Sequence, residues 1–393
     1  MRVLVLDTIH GGAEIARAAR AAGHQVDEVD VYRGEAGIPV AEALRRRYDL
    51  VTAPVHLDPD HPLLRHHGAA LSHHEAVRLL LEGRLPRPMI EITGSRGKTT
   101  TAHALAHLMA GSGILHTSSG TRQYPENRIL WQKSITPASV IAAADAAREC
   151  DGWLIAEESL GVTGAGDVAV LTSADDYPVA AGKKQALAEK CRSLRRAKTV
   201  VAPPGVAIPG PTVVSTDEAM SCSGTTLRYD YSGITGAFTN PLCSLAGYAL
   251  PLALAATTAC VLGIDPAPLA GFAALPGRMA TRIEDGILIV DNANSGTNVA
   301  TTVEAARYAR RLSGNDPVTL VIGVLAQTVC EGFPAEEIGR AVGLVRPEHV
   351  VYAGEEWLAS NKPHTAADLT EGLRVARSLT RRGSIVLAVK TWR

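Results

Sequence analysis

The sequence predicts an α/β protein with mostly parallel sheets, and three observations predict it. Apolar runs of strand length alternate with helical patterns through most of the 393 residues. The nonapeptide TGSRGKTTT at 93–101 joins a strand-like run to a helix-like one. A chain of this length, 46% hydrophobic, supplies two or three domains with buried cores.

The first segment opens on the strand VLVLD (3–7), turns at TIHGG and enters the helix AEIARAARAAG. HQVDEVDVY follows as a second strand, a Rossmann-like βαβ beginning. It lacks the fingerprint G-x-G-x-x-G, so NAD is a weak expectation. A loop rich in Pro and His leads to the helix SHHEAVRLLLEG, and RLPRP at 84–88 reads as a linker. The second segment starts at Met89 with a buried strand, the glycine-rich loop and the helix AHALAHLMAG. Strands WLIAE (153–157), DVAVLTS (167–173) and TVVAPP (199–204) follow with helices between them, which implies a sheet covered on both faces. TTLRYDYSG is more β-rich. LAGYALPLALAATTACVLGI (245–264) is the most apolar stretch, but Pro251 and the small residues favour a buried helix over a membrane span. LPGRM (275–279) punctuates the chain. A third segment alternates again through ILIVD (287–291), a helix from about 297 to 312, VTLVIGV (318–324), a helix near 335–345, HVVYAG (349–354) and SIVLAVK (384–390). The expected domains are 1–88, 89–277 and 278–393.

A net charge of −1 gives no basic field for nucleic acid and no acidic tail that implies disorder. MRVLVLD runs straight into a strand, so neither a signal peptide nor a membrane partner is expected, and a cytoplasmic location is. Cys150, Cys191, Cys222, Cys243, Cys260 and Cys330 form no C-x-x-C pair and read as reduced core residues. Monomer and homodimer are both left open. Eight of the thirteen histidines fall in the first 74 residues. The pairs 66–67 and 73–74 are expected on different helix faces, which argues against a metal site.

The loop carries the chemistry. A glycine-rich turn between a strand and a helix aims backbone N–H groups and a helix N-terminus at one point, which suits a polyphosphate. Gly94, Ser95, Arg96, Gly97, Lys98, Thr99 and Thr100 are therefore expected around a nucleotide, with Lys98 on the β/γ-phosphates and the Thr99 hydroxyl on Mg²⁺. The alternative, a plain turn with a surface lysine, leaves three successive threonines and two glycines unexplained.

Ile92 stands where the first glycine of G-x-x-x-x-G-K-[ST] would fall, and the form T-G-x-x-G-K-T-T resembles the Mur ligase family of ATP-dependent amide-forming enzymes. The resemblance implies three domains: Rossmann-like at the N-terminus, a central phosphate-loop ATPase and Rossmann-like again at the C-terminus. It implies ATP and Mg²⁺ as cofactors. AEES (156–159) resembles the family's Mg²⁺-binding E-x-S-S and assigns that task to Glu157, the alternative being a carboxylate merely solvated at a strand end. DVAVLTSADDY resembles a run ending in Asp-His; Asp175 and Asp176 remain, Tyr177 replaces the histidine, and Asp176 is the candidate for any second metal position. ALAEKCRSLRRAKTVV aligns Lys190 with a lysine that several members carbamylate, although an ordinary surface lysine fits equally well. SITP places Thr136 near substrate, LPGRM places Arg278 on the γ-phosphate, and DNANSGTN places Asp291 on the ribose. Tyr248, Ala249 and Leu252 replace polar residues that would face the adenine. Lys390 resembles a substrate-holding lysine; the alternative is a frayed terminal cation.

Within the family, L-V-L-D-T-I-H-G-G together with this core most resembles a branch that acts on a nickel tetrapyrrole. That implies activation of a propionate as an acyl phosphate, then attack by a carbon of the same macrocycle to close a carbocyclic ring. His10, Gly11 and Gly12 are then expected to meet the substrate. The runner-up is an amide ligase acting on a cell-wall or γ-glutamyl peptide. A nucleotide-binding regulator without ligase activity is the reading from another class, and Lys98, Glu157 and Arg278 argue against it.

Overall fold

Short apolar strands joined by amphipathic helices pair in parallel wherever a helix returns the chain to the same sheet end. The computed structural model describes residues 1–68, 70–325 and 333–391; Cys330 lies outside them. Contacts group residues 1–272 into one compact unit and 273–393 into another.

The first unit opens with a four-stranded parallel sheet in the order Gln25–Val29, Arg2–Leu6, Leu50–Ala53, Leu71–Ser72. Its last two strands lie in the stretch expected to be a loop; each is short enough that periodicity gives no signal. Helix Gly12–Ala21 buries Ile15, Ala16 and Ala19. The helix His73–Leu81 starts with a capping box between Ser72 and Glu75. Val3, Ile15, Val77 and Leu81 share one core with Ala138, Val140, Leu154 and Ala156 of the following segment. At about 1.5–3 kcal/mol per fully buried aliphatic side chain, that shared core makes the N-terminal sheet part of the larger body.

The second sheet has eight strands in the order Thr212–Ser215, Thr199–Ala202, Val168–Leu171, Met89–Thr93, Trp153–Glu157, Gly113–Thr117, Gly120–Tyr124, Arg128–Trp131. The first six are parallel and the last two antiparallel, an edge that the alternation alone does not predict. Helix Lys98–Leu108 packs on helix Ala246–Val261, which buries Tyr248, Pro251 and Leu252. Among the described residues no helix is long and apolar enough to cross a membrane. A meander of Met220–Ser223, Thr226–Tyr231 and Ile234–Thr239 accounts for the β-rich stretch.

The second unit is a six-stranded sheet in the order Ala280–Glu284, Ile287–Asp291, Ser384–Lys390, Val318–Val324, His349–Ala353, Thr365–Ala366. Only its first pair is antiparallel. Ser384–Lys390 is buried along its whole length, as a central parallel strand must be. Helix Leu369–Leu379, started by the Asp368 side chain accepting from Glu371 N, covers this sheet and was not expected.

The expectation of core cysteines needs correcting. Cys243 and Cys260 are buried, Cys150 and Cys191 half-buried, and Cys222 exposed on the meander; all five are free thiols.

Candidate active site

The strand order creates the site. From Met89–Thr93 the chain moves to one side, through Gly113–Thr117 and back to Trp153–Glu157, before crossing to Val168–Leu171 on the other. Ligands of open α/β sheets bind at the carboxyl ends of the strands, where the order reverses. Three loops end there together: 94–97, 157–159 and 172–176.

The loop 94–97 has no room for side chains at its glycines. Gly94 has φ 147°, and a Cβ on it would stand 2.1 Å from Thr172 Oγ1. Gly97, with φ 84°, caps helix Lys98–Leu108 and packs on Pro251. Thr172 Oγ1 donates to Arg96 O at 2.5 Å, and the backbone amides of Ser95 and Arg96 donate to Ser173 Oγ at 2.9 and 3.2 Å. Arg96 forks onto both oxygens of Asp175 at 3.0 and 2.6 Å, and that hydrogen-bonded guanidinium lowers the Asp175 pKa. The loop is therefore held from outside, with the positive end of the helix behind it.

Glu157 ends its strand 2% exposed, so a solvated strand-end carboxylate is excluded. Its Oε2 accepts from Thr99 Oγ1 at 2.9 Å and from Ser118 N at 3.1 Å, and Thr99 Oγ1 also lies 3.2 Å from Ser118 Oγ. Lys98 Nζ donates to Gly94 O at 3.1 Å and lies 3.8 Å from Glu157 Oε1. One buried carboxylate with two hydroxyls, all oxygen donors, fits a hard divalent cation such as Mg²⁺. Among the described residues no three His, Cys, Asp or Glu side chains gather as a preformed metal cluster.

Lys190, for which a site role and a surface role were both open, lies at the loop. Helix Ala186–Leu194 buries it completely, and its Nζ donates to Ser95 Oγ at 2.9 Å. This excludes the surface-lysine alternative. Burial first, and then the charge of Lys98, lower its pKa to about 8. Tyr177, in the place of the expected histidine, lays its ring 4.7 Å from the ammonium, a cation–π contact. Asp176 is exposed and its Oδ1 accepts from the amides of Tyr177 at 2.9 Å and Leu187 at 2.8 Å. Ser118, Thr172 and Ser173 escaped the sequence reading; hydroxyls just beyond strands flanking the loop are the only signal they offer.

Beneath Glu157 lies a second carboxyl pair. Glu91 is fully buried and accepts from Thr163 Oγ1, Gly164 N (3.1 Å) and Gly166 N (2.8 Å). Glu158, equally buried, faces it, and burial followed by the Glu91 charge raises the Glu158 pKa well above the carboxylate range. Burial and the Glu91 charge favour the protonated Glu158 in the fold, whereas the unfolded chain ionises freely. Above the unfolded pKa this costs stability increasingly as pH rises toward the folded pKa. Glu158→Gln keeps the donor and cannot ionise. It is expected to melt a few degrees above the parent at pH 8 and together with it near pH 4. Equal melting at pH 8 would show that Glu158 carries no such cost.

The turn 10–12 belongs to the same unit. Gly11 has φ 96°, and a Cβ there would stand 2.7 Å from Ala138 Cβ and 2.8 Å from Thr136 Oγ1, so the turn lies against SITP. His73 and His74 are both buried. His66 and His67 also touch, their ring centroids 4.7 Å apart.

In the other unit, Lys390 is 3% exposed and donates to Thr297 O at 3.4 Å, which excludes a frayed terminus. Asp291 is buried at the end of its strand, accepts from Ala293 N at 3.1 Å and lies 3.9 Å from Arg282. Arg278 is half-buried, its amide donating to Leu275 O at 2.9 Å.

Comparison with known proteins gives the family. Residues 281–391 match the model of the coenzyme F430 synthetase CfbE C-terminal domain. The coenzyme F(430) synthetase of Methanosarcina acetivorans is 30% identical over an alignment that spans 100% of this chain and 99% of the relative. Among solved structures, folylpolyglutamate synthase from Thermotoga maritima superposes with a TM-score of 0.58 at 14% identity, covering 81% of this chain and 90% of that one. A pseudomurein peptide ligase type C from Methanothermus fervidus gives 0.51 at 14% identity, covering 99% and 97%. These two carry the fold alone, the three-domain α/β architecture of the Mur ligases. The full-length identity carries the rest: the chain belongs to the coenzyme F(430) synthetase family.

Proposed function

We propose that the protein is an ATP-dependent ligase that closes a carbocyclic ring on a nickel seco-tetrapyrrole acid, giving coenzyme F(430), ADP and phosphate. The observation that carries this reading is the 30% identity to a coenzyme F(430) synthetase along the whole chain. The phosphate-loop geometry supports its ATP-dependent half.

A carboxylate is a poor electrophile. A propionate oxygen of the macrocycle attacks the γ-phosphorus and ADP leaves, forming an acyl phosphate. A carbon of the same macrocycle, after losing a proton, attacks the acyl carbon, and phosphate departs with the C–O electron pair. One C–C bond forms and nothing is oxidised. An intramolecular nucleophile needs no second substrate pocket and gains from proximity.

The residues divide the work as follows. The amides of 94–100 and the helix N-terminus cradle the polyphosphate, and Lys98 turns from Gly94 O to the β/γ-phosphates. Thr99 and Glu157 would hold Mg²⁺, which when bound would supply positive charge against the polyphosphate. Lys190, with a pKa of about 8, has at neutral pH the uncharged fraction that carbamylation requires, and Asp176 is its candidate companion at a second metal. Arg278 neutralises charge on the γ-phosphoryl group, Asp291 holds the ribose, and Lys390, Thr136 and the turn 10–12 hold the macrocycle. In this scheme domain 1–88 takes the tetrapyrrole and 89–277 the ATP.

The test is phosphate release from ATP and Mg²⁺, with and without the nickel seco-tetrapyrrole acid, alongside the absorbance of the macrocycle. Release that requires the macrocycle, changes its spectrum and needs no amine is the expected result. Release stimulated only by an amino acid with a peptide acceptor would move the protein to the amide ligases.

A further inference from the structure

The N-terminal sheet ends in a histidine held more rigidly than a surface turn requires. Asp7 follows strand Arg2–Leu6, is fully buried, and has φ 104°, a left-handed conformation that costs a non-glycine residue about 1–3 kcal/mol. Its carboxylate accepts from Ile9 N at 2.7 Å and His10 N at 2.9 Å, which offsets that strain and closes the turn. Gly12 packs so tightly that a Cβ would stand 1.6 Å from Asp7 O. With Gly11 pressed on Thr136 and Ala138, the turn has no room to relax.

His10 Nδ1 lies 3.3 Å from Asp7 Oδ2. The Asp7 carboxylate thus stands beside Nδ1, with Nε2 on the opposite side of the ring, the placement of a carboxylate that orients a histidine bound to a metal. The side chain of His10 is 44% exposed, whereas that of Asp7 is not exposed at all. Two aromatic rings flank it: Tyr32 at 5.0 Å and His56 at 4.7 Å, both edge-on, and themselves stacked at 5.8 Å. His73 and His74 do not compete, whereas His56 is a rival. His73 is 1% exposed, and His74, 3% exposed, already contacts Ser159 O through Nε2 at 3.0 Å. The cavity that His10 and His56 share with His73, Thr136 and Leu160 is about 70 Å³, too small for a macrocycle. A flat ligand must therefore lie outside it, against the exposed edge of His10.

Resting on the tetrapyrrole reading above, we propose that His10 Nε2 is an axial ligand to the nickel of the bound macrocycle, so that the protein grips its substrate through the metal as well as through its carboxylates. Imidazole nitrogen is a good donor to Ni²⁺, and a square-planar centre that gains an axial ligand changes its spin state and absorption.

The experiment titrates the full-length protein into the nickel seco-tetrapyrrole acid and into its metal-free counterpart, reading absorbance, magnetic susceptibility and affinity. The parent is expected to shift the nickel spectrum and make the metal paramagnetic. His10→Ala, altered at an exposed side chain, is expected to lose both signals and bind the nickel form roughly tenfold more weakly. Its affinity for the metal-free form should stay within about twofold, and added imidazole should restore the spectrum. Equal weakening toward both macrocycles would reduce His10 to a packing role and overturn the proposal. Signals kept in His10→Ala but lost in His56→Ala would overturn it in favour of His56. If neither macrocycle binds the parent, the tetrapyrrole reading itself falls, a result distinct from binding without a nickel signal.

Discussion

Lys98→Ala is expected to lower ADP formation on the order of a thousandfold while leaving the melting temperature within about two degrees of the parent. The two halves of that expectation rest on different observations. In the protein alone the ammonium is tied weakly. It makes one hydrogen bond, to Gly94 O at 3.1 Å, and stands 3.8 Å from Glu157 Oε1 with its side chain 16% exposed. Glu157 loses the cation 3.8 Å away when the lysine is gone but keeps both hydrogen bonds, from Thr99 and Ser118, that hold its buried carboxylate. The loss to the fold is then that of one partly solvated contact, about 1 kcal/mol or less. On the proposed reaction activity loses far more, because charge moves onto the transferring phosphoryl group and a fixed cation is worth most at that moment. Single-turnover ADP formation and a thermal melt on the same sample check both halves. Turnover within tenfold of the parent would break the assignment of the loop, and an early melt would show that Lys98 is structural.

The residues that the sequence made legible are those with a local signature. Gly94, Gly97 and Lys98 announce themselves by their spacing between a strand and a helix, and Glu157 by its place at the end of an apolar run. What no local pattern reveals is which strands become neighbours. Glu157 meets Thr99 because Trp153–Glu157 pairs with Met89–Thr93 in register, Ile92 opposite Glu157, across about sixty intervening residues. Ser118 reaches the same carboxylate from a strand pair at the edge, and Thr172 and Ser173 hold the loop from the other side. All three are small hydroxyl residues that occur in any loop, so composition gives no reason to choose them.

Burial is the other blind spot. For Lys190 and Lys390 the sequence leaves a site lysine and a solvated one equally open, because a lone long cation is usually solvated. Each proved buried with its ammonium on an oxygen, of Ser95 and of Thr297. Tyr177 shows the same limit from the opposite side. A residue that departs from the motif supplies, in three dimensions, an aromatic face to Lys190.

Glu157→Gln should separate metal binding from nucleotide binding by the signs of two effects. Glutamine preserves the shape and one acceptor oxygen for Thr99 Oγ1 and Ser118 N, so the local structure is kept. It removes a buried negative charge from beside a phosphate site. Without Mg²⁺ that charge repels the polyphosphate, so the variant should bind ATP as well as the parent or better. With Mg²⁺ the same charge is a ligand, and its loss should raise the Mg²⁺ concentration needed for half-maximal rate by tenfold or more and lower kcat on the order of a hundredfold. Opposite signs in the two conditions are difficult to obtain from general damage to the fold, which would weaken ATP binding in both. Isothermal titration with ATP in chelator and in Mg²⁺, followed by a rate series in Mg²⁺, makes the comparison. Weaker binding in chelator would return Glu157 to a structural role and leave Thr99 without the partner that a cation site at this loop requires.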